Sequence, residues 1–190
     1  PASSRRRRYE PHVPALNPAM PALRIFVSHS SRLRDDETSD AQAQANWRLL
    51  LDLPGQIEQV YGSQLEVLVD HDALRAGDDW ETVLHCLLWD CDAALIVFSC
   101  RAVEESDWVK LEATVLDSRA MNDPGFHLLP VLLASQTTVA DLDQGYFAAL
   151  RLKRLQAIPE VNSAQEIVAR LRPILGEPET LFSGQPSAYR

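Results

Sequence analysis

Short apolar runs alternate along the chain with longer segments in which apolar residues recur at helical spacing. The apolar runs are four to eight residues long, as is typical of strands buried on both faces of a parallel sheet. Pro130 lies inside the fourth run and indicates an irregular or edge strand, because proline cannot donate to the sheet. The alternation predicts a parallel sheet with helices on both faces. The predicted strands are residues 23–28, 65–69, 93–98, 126–133 and 155–158.

The helical segments carry signals for where they begin and end. Pro54 and Gly55 are expected to break or kink the first helix, because proline lacks a backbone donor and clashes with the preceding turn. Asp78 and Glu81 have the spacing of a capping box before the second helix, and Ser106 occupies the N-cap position of the third. The predicted helices are residues 47–61, 80–88, 108–116 and 164–175, with a weaker candidate at residues 137–152.

The order of the strands decides where such a sheet can bind a ligand. A five-stranded sheet of this flavodoxin-like, three-layer α/β type commonly has the order 2-1-3-4-5, and ligands bind at the carboxyl ends of strands beside the switch point. With that order, the turn at residues 29–31 and the segment at residues 99–112 line one crevice, flanked by the charged loop at residues 70–79. The sequence therefore predicts a ligand site at this end of the sheet.

A tryptophan and a glutamate stand together at the start of the third predicted helix. Trp108 and Glu112 are four residues apart, so they share one face of that helix. This places a carboxylate beside an aromatic ring just past the carboxyl end of the central strand. Two interpretations remain open: a ligand-binding pair, or a solvent-facing glutamate that follows a core tryptophan.

Composition and charge narrow the class of protein. With 190 residues, 46% of them apolar and 24% charged, the chain suits one soluble globular domain with tails. A net charge of −9 argues against nucleic acid as the main partner. The basic cluster Arg5 to Arg8 gives residues 1–10 a charge of +3, which leaves −12 on the remainder. No apolar run approaches the roughly 18 residues that a membrane helix needs, so no membrane contact is expected.

Proline content divides the chain into an arm, a domain and a tail. Residues 1–22 contain five of the twelve prolines and show no periodicity, which predicts a flexible arm. Residues 23–175 form the predicted domain. Residues 176–190 have the composition of a linker, which we expect to lead to a sensor or partner domain.

The sequence shows no motif for a retained cofactor. Neither G-x-G-x-x-G nor G-x-x-x-x-G-K-[ST] is present. Residues 70–72, Asp-His-Asp, are compatible with a metal site or with a charged loop. The three cysteines lie in or beside apolar segments, which predicts buried thiols of a reducing cytosol and neither disulfides nor a zinc site. They are Cys86, Cys91 and Cys100.

Three motifs resemble those of the Toll/interleukin-receptor (TIR) family. Residues 24–31, R-I-F-V-S-H-S-S, are similar to the first box of its bacterial and plant members. The second box and its BB loop have the spacing D-x-x-x-L-x-x-G-x-x-W, which residues 70–80 follow. Residues 91–112 resemble the family's C-D-A-A-x-I-V-x-x-S strand and the S-x-W-x-x-x-E that comes after it. The resemblance covers roughly residues 23–175, and the three motifs in this order and separation imply the TIR fold.

The resemblance implies two kinds of function. Animal immune members of the family are mostly adaptor scaffolds, whereas many bacterial and plant members cleave NAD at the nicotinamide–ribose bond with a helix glutamate. Glu112 occupies that position here. Our first interpretation is therefore a cytoplasmic NAD glycohydrolase of bacterial antiviral defence, activated by oligomerisation through TIR–TIR contacts. The alternative is a non-catalytic scaffold that acts through homotypic contacts.

The resemblance also implies roles for individual residues. Glu112 would be catalytic, with NAD as the substrate and with no cofactor or metal. Members of the family usually have an acidic residue soon after the serines of the first box. This chain departs from that pattern, because residues 32–34, Arg-Leu-Arg, separate those serines from Asp35. The implied substrate-binding residues are Ser28, His29, Ser30, Ser31, Arg32, Ser99 and Trp108, and the implied assembly residues are Asp70, Asp72, Leu74, Gly77 and Trp80.

One carboxylate is sufficient for the implied reaction, although most glycosidases need two. The nicotinamide of NAD is already a cation, so it leaves as a neutral molecule without a general acid. The site must supply a negative charge that stabilises the oxocarbenium-like ribose, together with hydrogen-bond acceptors for the ribose hydroxyls. An ionised Glu112 has both properties.

Overall fold

The computed structural model describes residues 23–30, 40–69, 79–155 and 157–176. Five strands in this part of the chain are β1 (Leu23–His29), β2 (Leu65–Leu68), β3 (Ala93–Phe98), β4 (His127–Leu133) and β5 (Ile158–Val161). They pair in parallel in the order β2-β1-β3-β4-β5, which confirms the predicted flavodoxin-like α/β fold. The predicted arm and tail lie outside the described residues, so the domain boundaries stay predictions.

Helices cover the sheet between the strands. They are α1 (Ala41–Tyr61), α2 (Trp80–Asp90), α3 (Cys100–Glu104), α4 (Asp107–Asn122) and α5 (Ala164–Leu175). None of the helices in the described part of the chain is long and apolar enough to cross a bilayer.

The alternation of side chains along β1 divides the core into two layers. Ile25 and Val27 face the layer that contains α1 and α5, whereas Phe26 faces the layer that contains α2 and α4. All six residues of β3 are buried, as the apolar run predicted. The direction of each β1 side chain therefore determines which helices it can contact.

Proline affects the fold less than expected. The prediction was a break or a kink at Pro54, and the break is wrong, because α1 continues through Pro54 as one helix of 21 residues. Burial of Leu50, Leu53 and Ile57 on one face stabilises the helix although Pro54 lacks a donor. Pro130 lies on an interior strand, but pairing with β5 begins only at Val131, so β4 is locally unpaired on that side at the proline.

Two other boundary predictions were wrong. Asp79, and not Asp78, is the residue before the first turn of α2, and its carboxylate accepts from the Thr82 hydroxyl at 2.9 Å; Asp78, the other member of the predicted capping box, lies outside the described residues. The fifth strand begins at Ile158, three residues later than the predicted start at Leu155. Leu155 packs against the α2 and α4 layer from an irregular segment, so its apolar character reflects burial and not strand pairing.

Residues 137–152, predicted to be helical, form short 3₁₀ helices and not one continuous α-helix. They contain short 3₁₀ helices at Val139–Asp143 and Phe147–Ala149, and a third begins at Leu152 (Leu152–Arg154). Gly145 has φ 56° between the first two, a backbone conformation that an α-helix cannot contain. The segment is still fixed to the body of the protein, because the hydroxyl groups of Tyr146 and Thr114 of α4 are 2.6 Å apart.

The cysteines differ in their exposure. Cys91 is buried, but Cys86 and Cys100 are exposed, so the prediction of three buried thiols was wrong for two of them. Leu84 and Leu88 define the core face of α2, and Cys86 lies between them in sequence, where its side chain points away from the sheet. All three cysteines are free thiols in this structure.

Cys91 is expected to resist alkylation in the native protein while Cys86 and Cys100 react. Burial raises the pKa of the Cys91 thiol from 9.0 to about 11, although the Arg119 guanidinium opposes this increase. Because the thiolate is the reactive form, brief iodoacetamide treatment at about pH 8 should leave Cys91 unlabelled in a peptide mass map. Urea-unfolded protein, as the control, should be labelled at all three positions. Rapid native labelling of Cys91 would contradict the assignment.

Candidate active site

The candidate site lies where β1 and β3 end side by side. Ser28 and His29, at the carboxyl end of β1, are paired with Ile96 and Val97 of β3. Because the strands are parallel, the segment that follows β3 begins beside the turn that follows β1. This is the switch point of the sheet, as the predicted strand order required.

Two serine caps direct the chain from β3 into α4. The Ser99 hydroxyl accepts from the backbone N–H of Ala102 at 3.2 Å and begins the short helix α3. The Ser106 hydroxyl accepts from the backbone N–H of Val109 at 3.2 Å, which confirms the predicted N-cap of α4. Both caps fix the position of α4 relative to the end of β3.

Glu112 points into the protein and contacts β1. Its Oε2 atom accepts a hydrogen bond from the Ser28 hydroxyl, and the Oγ–Oε2 distance is 2.5 Å. Ser28 is 1% exposed and Glu112 is 3% exposed. The interpretation of Glu112 as a solvent-facing residue is therefore wrong.

The local geometry explains why these two side chains meet. Ser28 is two residues after Phe26 on β1, so both point into the layer that contains α4. On α4, Val109, Ala113 and Leu116 form the buried face, and Glu112 lies between them at helical spacing. The hydroxyl of the strand and the carboxylate of the helix thus project toward the same interior volume.

A buried carboxylate is costly unless polar partners replace its water. Desolvation of an isolated carboxylate costs several kcal/mol, and a hydroxyl donor such as Ser28 offsets part of that cost. Buried titratable groups at the ligand-binding end of a sheet are candidates for functional residues. By its burial and its position at the switch point, Glu112 is such a candidate.

Trp108 and Trp80 form an exposed aromatic pair close to the start of α4. Their ring centroids are 4.2 Å apart with an interplanar angle of 77°, an edge-to-face contact. Trp108 is 51% exposed and Trp80 is 40% exposed, so the interpretation of Trp108 as a core residue is wrong. Trp108 lies one helical turn before Glu112, and the site therefore combines a buried carboxylate with an exposed aromatic surface.

The remaining predicted site residues fall into two groups. His29 and Ser30 are half-buried at the end of β1, and Ser99 is buried at the cap of α3. The others lie outside the described residues, so their roles stay predictions. They are Ser31, Arg32, Asp70, Asp72, Leu74 and Gly77.

A small cleft near the site was not predicted from the sequence. It lies between α3 and the turn after β4, and Cys100, Glu104, Thr137 and Asp141 line part of it. The backbone N–H and the hydroxyl of Thr138 donate to Asp141, which lowers the pKa of that carboxyl. Asp141 thereby completes a capping box for the following 3₁₀ helix, so its charge already has a structural role.

Metal ligands do not cluster in the part of the chain that the structure describes. No group of three or more His, Cys, Asp or Glu side chains there could hold a metal ion. Residues 70–72, the one sequence segment compatible with a metal site, lie outside that part.

Comparison with known proteins finds a distant structural neighbour. No protein-family profile matches the chain, and no curated protein matches it. Among solved structures, the chain is similar to the TIR domains in a structure of the activated Roq1 resistosome directly recognizing the pathogen effector XopQ. The sequence identity is 16% and the TM-score is 0.47, over 86% of this chain and 92% of that chain.

Proposed function

We propose that this protein is an NAD glycohydrolase that cleaves the bond between nicotinamide and ribose. The proposal is carried by the position of Glu112, a buried carboxylate at the switch point of the sheet that accepts a hydrogen bond from Ser28. Glu112 is also the glutamate of the S-x-W-x-x-x-E motif that resembles the NAD-cleaving members of the TIR family. The products would be nicotinamide and either ADP-ribose or a cyclic ADP-ribose.

The proposed chemistry uses Glu112 as an anion beside the reacting ribose. As the bond to the cationic nicotinamide breaks, positive charge develops on the ribose, and the carboxylate stabilises it. The same oxygens can accept hydrogen bonds from the ribose hydroxyls and hold the sugar in place. NAD would be consumed as a substrate and not retained as a cofactor.

The exposed tryptophan pair supports a role in holding a flat ring. Trp108 lies one turn before Glu112. Its ring contacts Trp80, and 51% of the Trp108 surface still remains exposed to solvent. An aromatic side chain in this position can stack on a nicotinamide or adenine ring by offset contact. Substrate binding would then combine the aromatic surface with the carboxylate below it.

The burial of Glu112 favours a site that is closed in the isolated chain. With 3% of its surface exposed, Glu112 can contact a ribose only after the groups that cover it move aside. Self-association through TIR–TIR contacts would provide that change, as the family resemblance implies. We place the protein in the cytoplasm, as the effector of an antiviral system that an attached or separate sensor domain activates.

A concentration series of the purified chain with NAD tests this proposal. We expect nicotinamide release to rise more steeply than linearly with protein concentration, because association opens the site, and chromatography should identify the second product. Strictly linear activity would contradict activation by association while leaving the catalysis in place. The absence of nicotinamide at every concentration, including protein clustered by a crowding agent, would refute the enzyme assignment.

A non-catalytic scaffold is the second candidate, and exposed aromatic residues favour it. Trp80, Trp89 and Trp108 are all accessible on α2 and α4, and exposed tryptophans are common in contact surfaces. A scaffold would have no use for a buried carboxylate at the switch point. The two candidates therefore differ in what they require of Glu112.

A further inference from the structure

We propose that Ser28 is a positioning residue for Glu112 and does not bind the substrate itself. This inference rests on the proposed NAD cleavage and refines it, because the sequence alone placed Ser28 among the substrate-binding residues. The contact that carries it is the hydrogen bond from Ser28 Oγ to Glu112 Oε2 at 2.5 Å, with both side chains buried.

Ser28 is held by its place in the sheet. It lies on β1, which pairs with β2 as far as Phe26 and with β3 as far as His29, and its own register partner is Ile96 of β3. Ile96 is fully buried in the central strand. The Ser28 hydroxyl therefore projects from a fixed point, which is what a positioning group requires.

The direction of the hydrogen bond assigns the roles of the two side chains. An ionised carboxylate can only accept, so the Ser28 hydroxyl is the donor. A serine hydroxyl has one proton, and in this geometry that proton is directed at Glu112 Oε2. The bond restricts rotation of the carboxylate about its terminal torsion, which is otherwise broad.

The hydrogen bond of Ser28 argues against a direct contact with the substrate. Its single hydroxyl proton is already donated to Glu112, so Ser28 has no second proton to donate to a ribose when the site opens. Trp108, by comparison, is exposed one turn from Glu112 on the same helix. Substrate contact and carboxylate orientation are thus divided between an exposed residue and a buried one.

Steady-state kinetics of Ser28→Ala separates positioning from binding. Loss of the donor should lower kcat by about 10- to 100-fold, since a misplaced catalytic group costs about that much. KM should change by much less than kcat, because Ser28 itself makes no substrate contact and the carboxylate that it positions acts most strongly on the charge that develops in the transition state. Ser28→Thr retains the hydroxyl on a strand-favouring side chain, and we expect it to keep kcat within about threefold of the wild-type value.

The matched control is Ser118→Ala, an exposed serine on the same helix as Glu112, which should leave both kinetic constants unchanged. Thermal unfolding monitored by circular dichroism checks that each variant folds. If Ser28→Thr does not fold, Ser28→Ala alone still distinguishes the two roles: a change mainly in kcat indicates positioning of Glu112, and a change mainly in KM indicates substrate binding.

Two results would overturn the inference. A raised KM with kcat unchanged in Ser28→Ala would show that Ser28 contacts the substrate, and wild-type values of both constants would show that it has no role. In either case the wild-type protein still cleaves NAD, so the proposed function stands. A wild-type protein that cleaves no NAD removes the proposed function and this inference together.

Discussion

Replacing Glu112 by glutamine is expected to lower the rate of nicotinamide release by roughly 10³-fold, because a charge aimed at the transition state is lost. Glutamine has nearly the same shape and can still accept from the Ser28 hydroxyl, so the change removes charge with little change in packing. The measurement is kcat/KM for NAD at a protein concentration where the wild type is active. We expect the variant to fold, since a neutral amide is less costly to bury than a carboxylate.

A control and an assembly assay complete this experiment. Glu58→Gln makes the same chemical change at an exposed position on α1 and should leave the activity unchanged. Light scattering should show that Glu112→Ala self-associates like the wild type, because Glu112 is buried and contributes no surface. Retention of wild-type activity in Glu112→Gln would leave the scaffold as the better description.

Replacing Phe98 by alanine is expected to reduce the free energy of unfolding by about 3–5 kcal/mol, the usual cost of a phenylalanine cavity in a core. Phe98 is fully buried at the end of β3, and its ring packs edge-to-face on Phe147, with 5.2 Å between the centroids. The substitution therefore loses buried area together with the contact that joins the central strand to the 3₁₀ segment. Urea unfolding monitored by circular dichroism measures the change.

Leu51→Ala is the matched control for that substitution. Leu51 is 50% exposed on α1, so its truncation should change the free energy of unfolding by no more than about 0.5 kcal/mol. A decrease of less than about 1 kcal/mol for Phe98→Ala would indicate that the core layer between the sheet, α2 and α4 tolerates a cavity at the end of β3. The central position assigned to Phe98 would then be wrong.

Local signals were most reliable where they were strong and unbroken. The apolar run at residues 93–98 matches β3 (Ala93–Phe98), and the amphipathic pattern at residues 164–175 matches α5 (Ala164–Leu175). Ser106 marked the start of α4, because an N-cap is formed by the side chain of one residue and the backbone three residues later. Such features depend on neighbours in sequence.

Errors occurred where tertiary contacts override a local preference. Pro54 lies in a continuous helix because the buried face of α1 stabilises it. Cys86 and Cys100 occur in or beside apolar segments but face solvent, because only one side of α2 contacts the sheet and Cys100 begins α3 at its surface. Exposure depends on what lies opposite a side chain, and a linear pattern does not contain that information.

The sequence by itself determined that strands and helices alternate and that a polar segment comes directly after each of the first three strands. It also determined that Trp108 and Glu112 share one face of a helix. These are consequences of spacing along the chain. Only the tertiary structure decided that this face turns its carboxylate inward while the tryptophan stays exposed. Only the tertiary structure placed the Ser28 hydroxyl, 84 residues earlier in the chain, on that carboxylate. Their meeting depends on the parallel pairing of β1 with β3 and on the helix that crosses over them, which no local pattern specifies.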